Sequence, residues 1–328
     1  MSFEEVIGQR KAKDILRDEL KSQRIKHAYL FTGKDGLGKK KLALEFVRAL
    51  FCENKQFDNC GQCISCKKIE HQNHADVRLL SLDEGSSKFS ISQVRELQQE
   101  IVYKPYESSR KVYIIEDADK MSLEAANSLL RTLEEPPDYA VIILLAEEIN
   151  QLLPTIISRC QQVFFYDVNT DKIESYLKEK GATKKQAHLF SNLAAGSPRR
   201  ALEFMQDEQF IENRDMVFSF LKNITEKKRY QILQKAEEVE QIYQKGFPVF
   251  DLISSWYRDI MLCIEGNNEQ IVNIDFLSDI KEQSQQYNLV QLVSIIERVD
   301  EMATYLQKNV NRRLILDVLL IGIRSGRM

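Results

Sequence analysis

From the first residues to about Phe165, short β-branched or aromatic runs alternate with amphipathic stretches, the pattern of an α/β unit built on a mainly parallel sheet. Five strands are predicted: Ala28 to Thr32, Val77 to Leu80, Val112 to Ile115, Val141 to Leu145 and Gln162 to Phe165. Helical periodicity predicts Lys39 to Glu53, Ile91 to Val102 and Ser122 to Glu134 as the helices between them. After Tyr166 the strands stop. Asn169 to Lys180 carries Ile173, Tyr176 and Leu177 on one helical face, and Thr183 to Ala195 carries Ala187, Phe190, Leu193 and Ala194 on another. Gly196, Ser197 and Pro198 read as a C-cap, the next N-cap and a first helical position, so a third short helix runs to about Gln206. From Asp207 to Met328 the pattern is helical, broken near Gly246 to Pro248, Gly266 to Asn268 and Asn309 to Asn311, which reads as an all-α bundle. The predicted division is therefore 1–166, 167–207 and 208–328, with no internal repeat.

Composition narrows what these units do. The 328 residues suffice for two or three domains with proper cores. Hydrophobic residues at 43% and charged residues at 29% give a globular balance, not that of a disordered chain. A net charge of −3 gives the whole chain no general pull on nucleic acid, so any DNA contact comes from a local patch or a larger assembly. The start, MSFEEVIGQRKAK, lacks the apolar core of a signal peptide, and no segment approaches the ~18 apolar residues of a membrane span, so a cytoplasmic protein without membrane contact is expected.

Four of the six cysteines, Cys52, Cys60, Cys63 and Cys66, form C-x7-C-x2-C-x2-C directly after the first predicted long helix. Four thiolates at two-residue spacers suit tetrahedral Zn²⁺, and with no open position the site is expected to be structural. An iron–sulfur cluster or a disulfide pair is the alternative; the reducing compartment and absent redox context favour zinc. Cys160 and Cys263 are expected to be buried small hydrophobes.

After the first strand, Gly33 to Lys40 reads GKDGLGKK and fits the phosphate-loop pattern between a strand and a helix. Gly33, Gly36 and Gly38 let backbone N–H groups turn inward, and Lys39 is placed to reach β and γ phosphates. The next position calls for a Ser or Thr hydroxyl to ligate magnesium, and here it is Lys40. Nucleotide binding is thus doubtful and organised hydrolysis impaired; an ordinary glycine turn is the alternative. Glu116 and Asp117 follow the third strand, where a P-loop enzyme holds Mg²⁺, but in the reverse of the usual Asp-Glu order. Acidic residues at a strand end are also common in solvated loops.

Taken in order, Val6-Ile7-Gly8-Gln9, HAYLFTGKDGLGKK from His27, the four-cysteine insert, Asn127 with LLRTLEEPP to Pro137, Ser158-Arg159-Cys160, GSPRRAL from Gly196 and NVNRRLILDVLL from Asn309 resemble the clamp-loader subunits of bacterial DNA polymerase III, within the AAA+ class. The likeness is greatest to the delta-prime branch and covers nearly the whole chain. It implies a nucleotide-binding-type domain carrying the 52–66 insert, a helical lid, and a collar that joins five subunits. The implied assembly is a hetero-pentamer of one delta, three gamma or tau and one delta-prime subunit, which places the sliding clamp on primed DNA using ATP.

The resemblance also implies roles for single residues. Arg159 matches an arginine finger supplied in trans to a neighbour's ATP site, a device worth roughly 10³ to 10⁵ in rate. Its guanidinium stays charged and binds phosphate oxygens through a planar fork. Arg199 matches the lid's sensor arginine, and Arg200 is expected to face solvent. Gly8 and Gln9 match a segment near adenine, with helix capping as an equal alternative. Leu314, Leu316, Leu319, Leu320 and Ile321 are expected to be mostly core.

The expected function is a stator that helps load the clamp and lends Arg159 to a gamma or tau neighbour, with little ATPase of its own. The alternative within the class is an active gamma or tau ATPase; Lys40 argues against it, and the end at Met328 is expected to separate the chain from tau. An independent helicase-like motor needs a complete phosphate loop and Asp-Glu pair. A zinc-dependent nucleic-acid module needs basic surroundings, and Glu53, Asp58 and Glu70 offset Lys67 and Lys68.

Overall fold

Strands that are apolar along their whole length are stable only when both faces are covered, and three such runs form the middle of the sheet. In the computed structural model, which describes residues 2–54, 58–83, 86, 88–306 and 310–325, the strands are β1 (Ala28–Thr32), β2 (Val77–Leu80), β3 (Lys111–Ile115), β4 (Ala140–Ala146) and β5 (Gln161–Phe164). Their order is β2-β3-β4-β1-β5, and every pairing is parallel. β1 and β4 are buried throughout, whereas β2 and β5, at the edges, are partly exposed.

The described chain divides into two compact units, residues 1–176 with 195–200, and 177–194 with 201–328. In the first, the period-2 alternation of the strands feeds two cores. Tyr29, Phe31, Val112, Ile114, Val141 and Ile143 face one side, with Leu16 and Leu20 of α1 (Arg10–Ser22), Leu42 and Phe46 of α2 (Lys39–Phe51) and Ile69 of α3 (Ile64–Glu70). Leu30, Tyr113, Ile115, Ile142 and Leu144 face the other. There they meet Val94 and Leu97 of α4 (Ile91–Ile101), Leu129 and Leu133 of α5 (Leu123–Glu134) and Ile156 of α6 (Pro154–Ile157).

The expected α/β core with five strands is present, and the sheet is wholly parallel. The first long helix stops at Phe51 rather than Glu53, because Cys52 turns extended toward the other cysteines. At the break, Ser197 caps the helix that Pro198 opens, its hydroxyl accepting the Arg200 N–H at 3.3 Å, but the preceding helix ends at Leu193 with Ala194, not Gly196, as its cap; Ala195 and Gly196 follow with φ +49° and +82°. α7 (Thr170–Glu179) and α9 (Pro198–Gln206) have the predicted extents within a residue or two.

In the second unit, α8 (Lys184–Leu193) precedes α10 (Phe210–Lys222), α11 (Arg229–Gln244), α12 (Val249–Ile264), α13 (Leu277–Gln283), α14 (Leu289–Leu306) and α15 (Arg312–Ser325). α12 packs against α10, α13 and α14, and α11 against α15. Fully buried Trp256 donates to Gln283 Oε1 at 2.8 Å, and Gln283 Nε2 donates to the carbonyls of Leu221 and Lys222, closing the end of α10. Arg214, 1% exposed, forms a two-pronged pair with Asp275 at 2.7 Å on each prong. Asn309 lies outside the described residues; Asn311 caps α15, its Oδ1 accepting the Leu314 N–H at 3.2 Å. Leu316, Leu319 and Leu320 are core as expected, but Leu314 is 58% exposed and Ile321 only half-buried. No helix among the described residues is long and apolar enough to cross a membrane.

Candidate functional site

The chain leaves β1 toward α2 on one face and leaves β4 toward α6 on the other, so these neighbouring strands part at their carboxyl ends. A crevice of this kind is where open α/β sheets take ligands. The loop from Gly33 to Gly38 lines it, with Gly33, Gly36 and Gly38 at φ +148°, +76° and +92°. Gly36 has a second constraint. A Cβ there would stand 2.1 Å from Ser197 Oγ and 3.0 Å from Arg199 Cβ, so the segment entering α9 lies directly on the loop.

Each basic group of the loop is satisfied by oxygen atoms of this chain. Lys39 Nζ donates to the carbonyl of Gly33, and to that of Lys34 at 2.8 Å. Lys40 Nζ lies 2.7 Å from Glu116 Oε1, joining the start of α2 to the end of β3. Lys34 pairs with Asp167 at 2.6 Å, and Arg199 with Asp35 at 3.2 Å. Asp117, in the left-handed region at φ +52°, pairs with Lys120 at 2.8 Å. The fold brings Gly33, Gly36, Gly38, Lys39, Lys40, Glu116, Asp117 and Arg199, the residues expected around the loop, into one region of the first unit.

Three carboxylates that the sequence pattern did not single out, Glu147, Asp35 and Asp119, change the electrostatics. Burial pushes the Lys39 pKa down, while Glu147, Asp35, Asp119 and Asp117 oppose that shift through their charge. Burial pushes Glu147 up, with Asp35 and Asp119 adding repulsion and Lys39 and Lys120 pulling the other way. Buried Asp119 accepts the backbone N–H groups of Glu147 and Glu148 at 3.2 and 3.1 Å, fixing the turn after β4. The only sequence signal for Glu147 was an acidic pair closing the apolar run of β4.

Arg159 sits between α6 and β5, with its side chain 35% exposed. Nη2 meets Glu134 Oε1 at 2.7 Å, and Nη1 donates to the Thr155 carbonyl at 3.0 Å. Gln9 is committed to structure: Nε2 donates to the Tyr166 carbonyl at 2.7 Å and Oε1 accepts the Tyr166 N–H at 3.0 Å. Gly8, at φ +68°, lies against Val168. Cys160 and Cys263 are half-buried rather than buried.

The sulfur atoms of Cys52, Cys60, Cys63 and Cys66 all lie within 4.8 Å of one another, and none is in a disulfide. Tetrahedral zinc with Zn–S of ~2.3 Å requires sulfurs ~3.8 Å apart, so this cluster could hold a metal with only small adjustments. Gly61, at φ +66°, makes the turn. Backbone N–H groups already point at sulfur: Cys60 to Cys52 Sγ at 3.4 Å, and Gln62 and Cys63 to Cys60 Sγ at 3.4 and 3.3 Å. The latter two pull the Cys60 pKa down to about 6, whereas burial pushes Cys66 up to about 12.

The insert is tied to the core by buried polar groups. Arg48 Nη1 pairs with Glu45 at 3.1 Å, and Asn59 Nδ2 donates to the other oxygen of Glu45 at 2.6 Å. His74 is no ligand. Its Nδ1 accepts the Asp76 N–H at 3.2 Å, its ring stacks on Phe51, and burial lowers its pKa.

These features define a P-loop-type α/β protein, in which the basic groups of the loop pair with oxygen atoms of the same chain, followed by a helical unit. Residues 8–169 match the family model described as DNA polymerase III, delta subunit, and residues 208–325 its C-terminal counterpart. The DNA polymerase III subunit delta' of Bacillus subtilis is 32% identical over 95% of each chain. The chain belongs to this DNA polymerase III delta' family. The subunit tau of the same organism is 27% identical over 90% of this chain, which spans 57% of that protein's length. A solved structure described as a DNA polymerase III, gamma subunit-related protein from Thermotoga maritima aligns with TM-score 0.48 at 20% identity, covering 97% of this chain and 100% of that one.

Proposed function

We propose that this chain is the delta-prime-type stator of a DNA polymerase III clamp loader, acting in the cytoplasm beside delta and gamma or tau subunits to place a sliding clamp on primed DNA. The observation that carries the reading is the 2.7 Å ion pair between Lys40 and Glu116. A magnesium–nucleotide needs an oxygen ligand at position 40 and a carboxylate free at the end of β3. Here the first is an ammonium and the second is its partner, so the site does not fit that group and no hydrolytic step is assigned to this chain. Glu147, drawn to Lys39 by charge, adds repulsion against a γ-phosphate.

Arg159 is the group offered to the neighbouring ATP site. Its position ahead of β5 and its partial exposure support that role, since a guanidinium can stabilise a transferring phosphoryl group it does not bind in its own subunit. Zn²⁺ is the metal of the cysteine cluster, where Cys52, Cys60, Cys63 and Cys66 supply a closed, structural tetrahedron. The chain works as three domains: 1–166 with the zinc insert, a lid over 167–207 and a collar over 208–328.

ATP titration and turnover measured on the isolated chain, with and without Mg²⁺, test the stator reading. No magnesium-dependent binding and no turnover are expected; turnover at the rate of a competent P-loop enzyme would refute the proposal. Arg159→Ala in the reconstituted loader tests the finger, with a large loss of loader ATPase expected.

A further inference from the structure

Glu134 is the last residue of α5, ahead of Pro136 and Pro137. A carboxylate at the negative end of a helix dipole is unfavourable unless a cation sits beside it. That cation is Arg159, whose Nη2 lies 2.7 Å from Glu134 Oε1. A second anchor comes from another element, the Thr155 carbonyl in α6, which accepts from Nη1 at 3.0 Å. Two of the five guanidinium N–H donors are thus held along one edge of the fork, while the side chain keeps 35% of its surface open. Glu134, 47% exposed, holds Arg159 without burying it.

We propose that Glu134 is a positioning residue for Arg159: the carboxylate at the end of α5 and the carbonyl in α6 fix the guanidinium in one orientation, so that its remaining donors are presented outward before a neighbour is met. The inference rests on the reading of Arg159 as a group used in trans. An unanchored arginine carries large rotamer freedom, which must be lost when it meets a phosphate. Anchoring one edge in advance removes part of that loss, at the cost of one ion pair that leaves the rest of the fork available.

The test is a double-mutant cycle on the ATPase of the reconstituted loader, with thermal melts of each variant chain as the folding control. Glu134→Gln keeps the shape and removes the charge. It is expected to lower the loader's kcat about three- to tenfold, with KM for ATP unchanged. In an Arg159→Ala background the same substitution is expected to have no further effect. Unchanged or raised kcat in Glu134→Gln, or an equal fall with and without Arg159, overturns the positioning role. If Arg159→Ala itself leaves the loader's kcat intact, the finger reading fails, and Glu134 has nothing to position. An active-site loss from Arg159→Ala beside a silent Glu134→Gln overturns only the present inference.

Discussion

Lys40 Nζ and Glu116 Oε1 stand 2.7 Å apart, with the lysine side chain 43% and the glutamate 23% exposed. The pair closes the ends of α2 and β3 with a charge that belongs to the polypeptide. An exposed pair of this sort contributes only ~0.2–1 kcal/mol to stability, so its consequence lies in ligand chemistry. While it stands, the carboxylate at the end of β3 already has its counter-charge.

Lys40→Thr removes that counter-charge and supplies a hydroxyl. Magnesium-dependent ATP affinity is expected to rise at least about tenfold, equivalent to ~1.4 kcal/mol, with the melting temperature almost unmoved. Isothermal titration with and without Mg²⁺ measures it. Equal magnesium-dependent affinity in the wild-type chain and the variant would show that Lys40 does not control the site.

Gly36→Ala should destabilise the first unit by ~1–3 kcal/mol, because the new methyl meets Ser197 Oγ at 2.1 Å and the backbone stands at φ +76°. Urea unfolding gives the number. A second substitution, Ser197→Gly, removes the nearest obstacle and is expected to recover part of the loss; no recovery would assign the whole cost to backbone strain.

Purified protein should hold one zinc per chain, bound by the four cysteines that converge within 4.8 Å. Cys66→Ser replaces a fully buried ligand and is expected to cost of order 4 kcal/mol, with loss of the metal. Elemental analysis and melting curves check both halves. Stoichiometric iron with visible cluster absorbance would exclude zinc as the native metal.

The parts of this molecule that were legible in the sequence carry a local signature. β1, β3 and β4 announce themselves by apolar runs, the phosphate loop by glycine spacing between a strand and a helix, and the cysteine cluster by its two-residue spacers. The charge pairing was not legible. Lys40 with Glu116, Arg199 with Asp35 and Arg159 with Glu134 join residues brought together by the sheet order and the α9 entry, and acidic loop residues follow no period. Nor was the whole of the α15 stripe: Leu314 looks like core by spacing, but its neighbours leave that side uncovered. The short helices α3 and α6 escaped because one turn or two gives periodicity too little to act on.

His74 should make stability depend on pH in a defined direction. Its side chain is 1% exposed; Nδ1 accepts the Asp76 N–H, and Nε2 lies 3.3 Å from Ser108 Oγ. That arrangement uses the neutral ring with hydrogen on Nε2. Burial lowers its pKa below the ordinary 6.5, against the opposing pull of Glu107 and Asp76 and with Lys68 adding a small push in the same direction. Between the folded-state value and 6.5 the unfolded chain therefore binds a proton that the folded chain does not, and stability rises with pH. The contribution is complete above 6.5 and is lost as pH falls through the folded-state value. Urea unfolding of the wild-type chain and His74→Gln between about pH 5 and 8 separates this from proton uptake by the cysteine cluster, which both chains share. The wild-type chain is expected to lose more stability on acidification than the variant. Parallel curves would mean that His74 titrates alike in the folded and unfolded chain, and that its buried hydrogen bonds do not select the neutral ring.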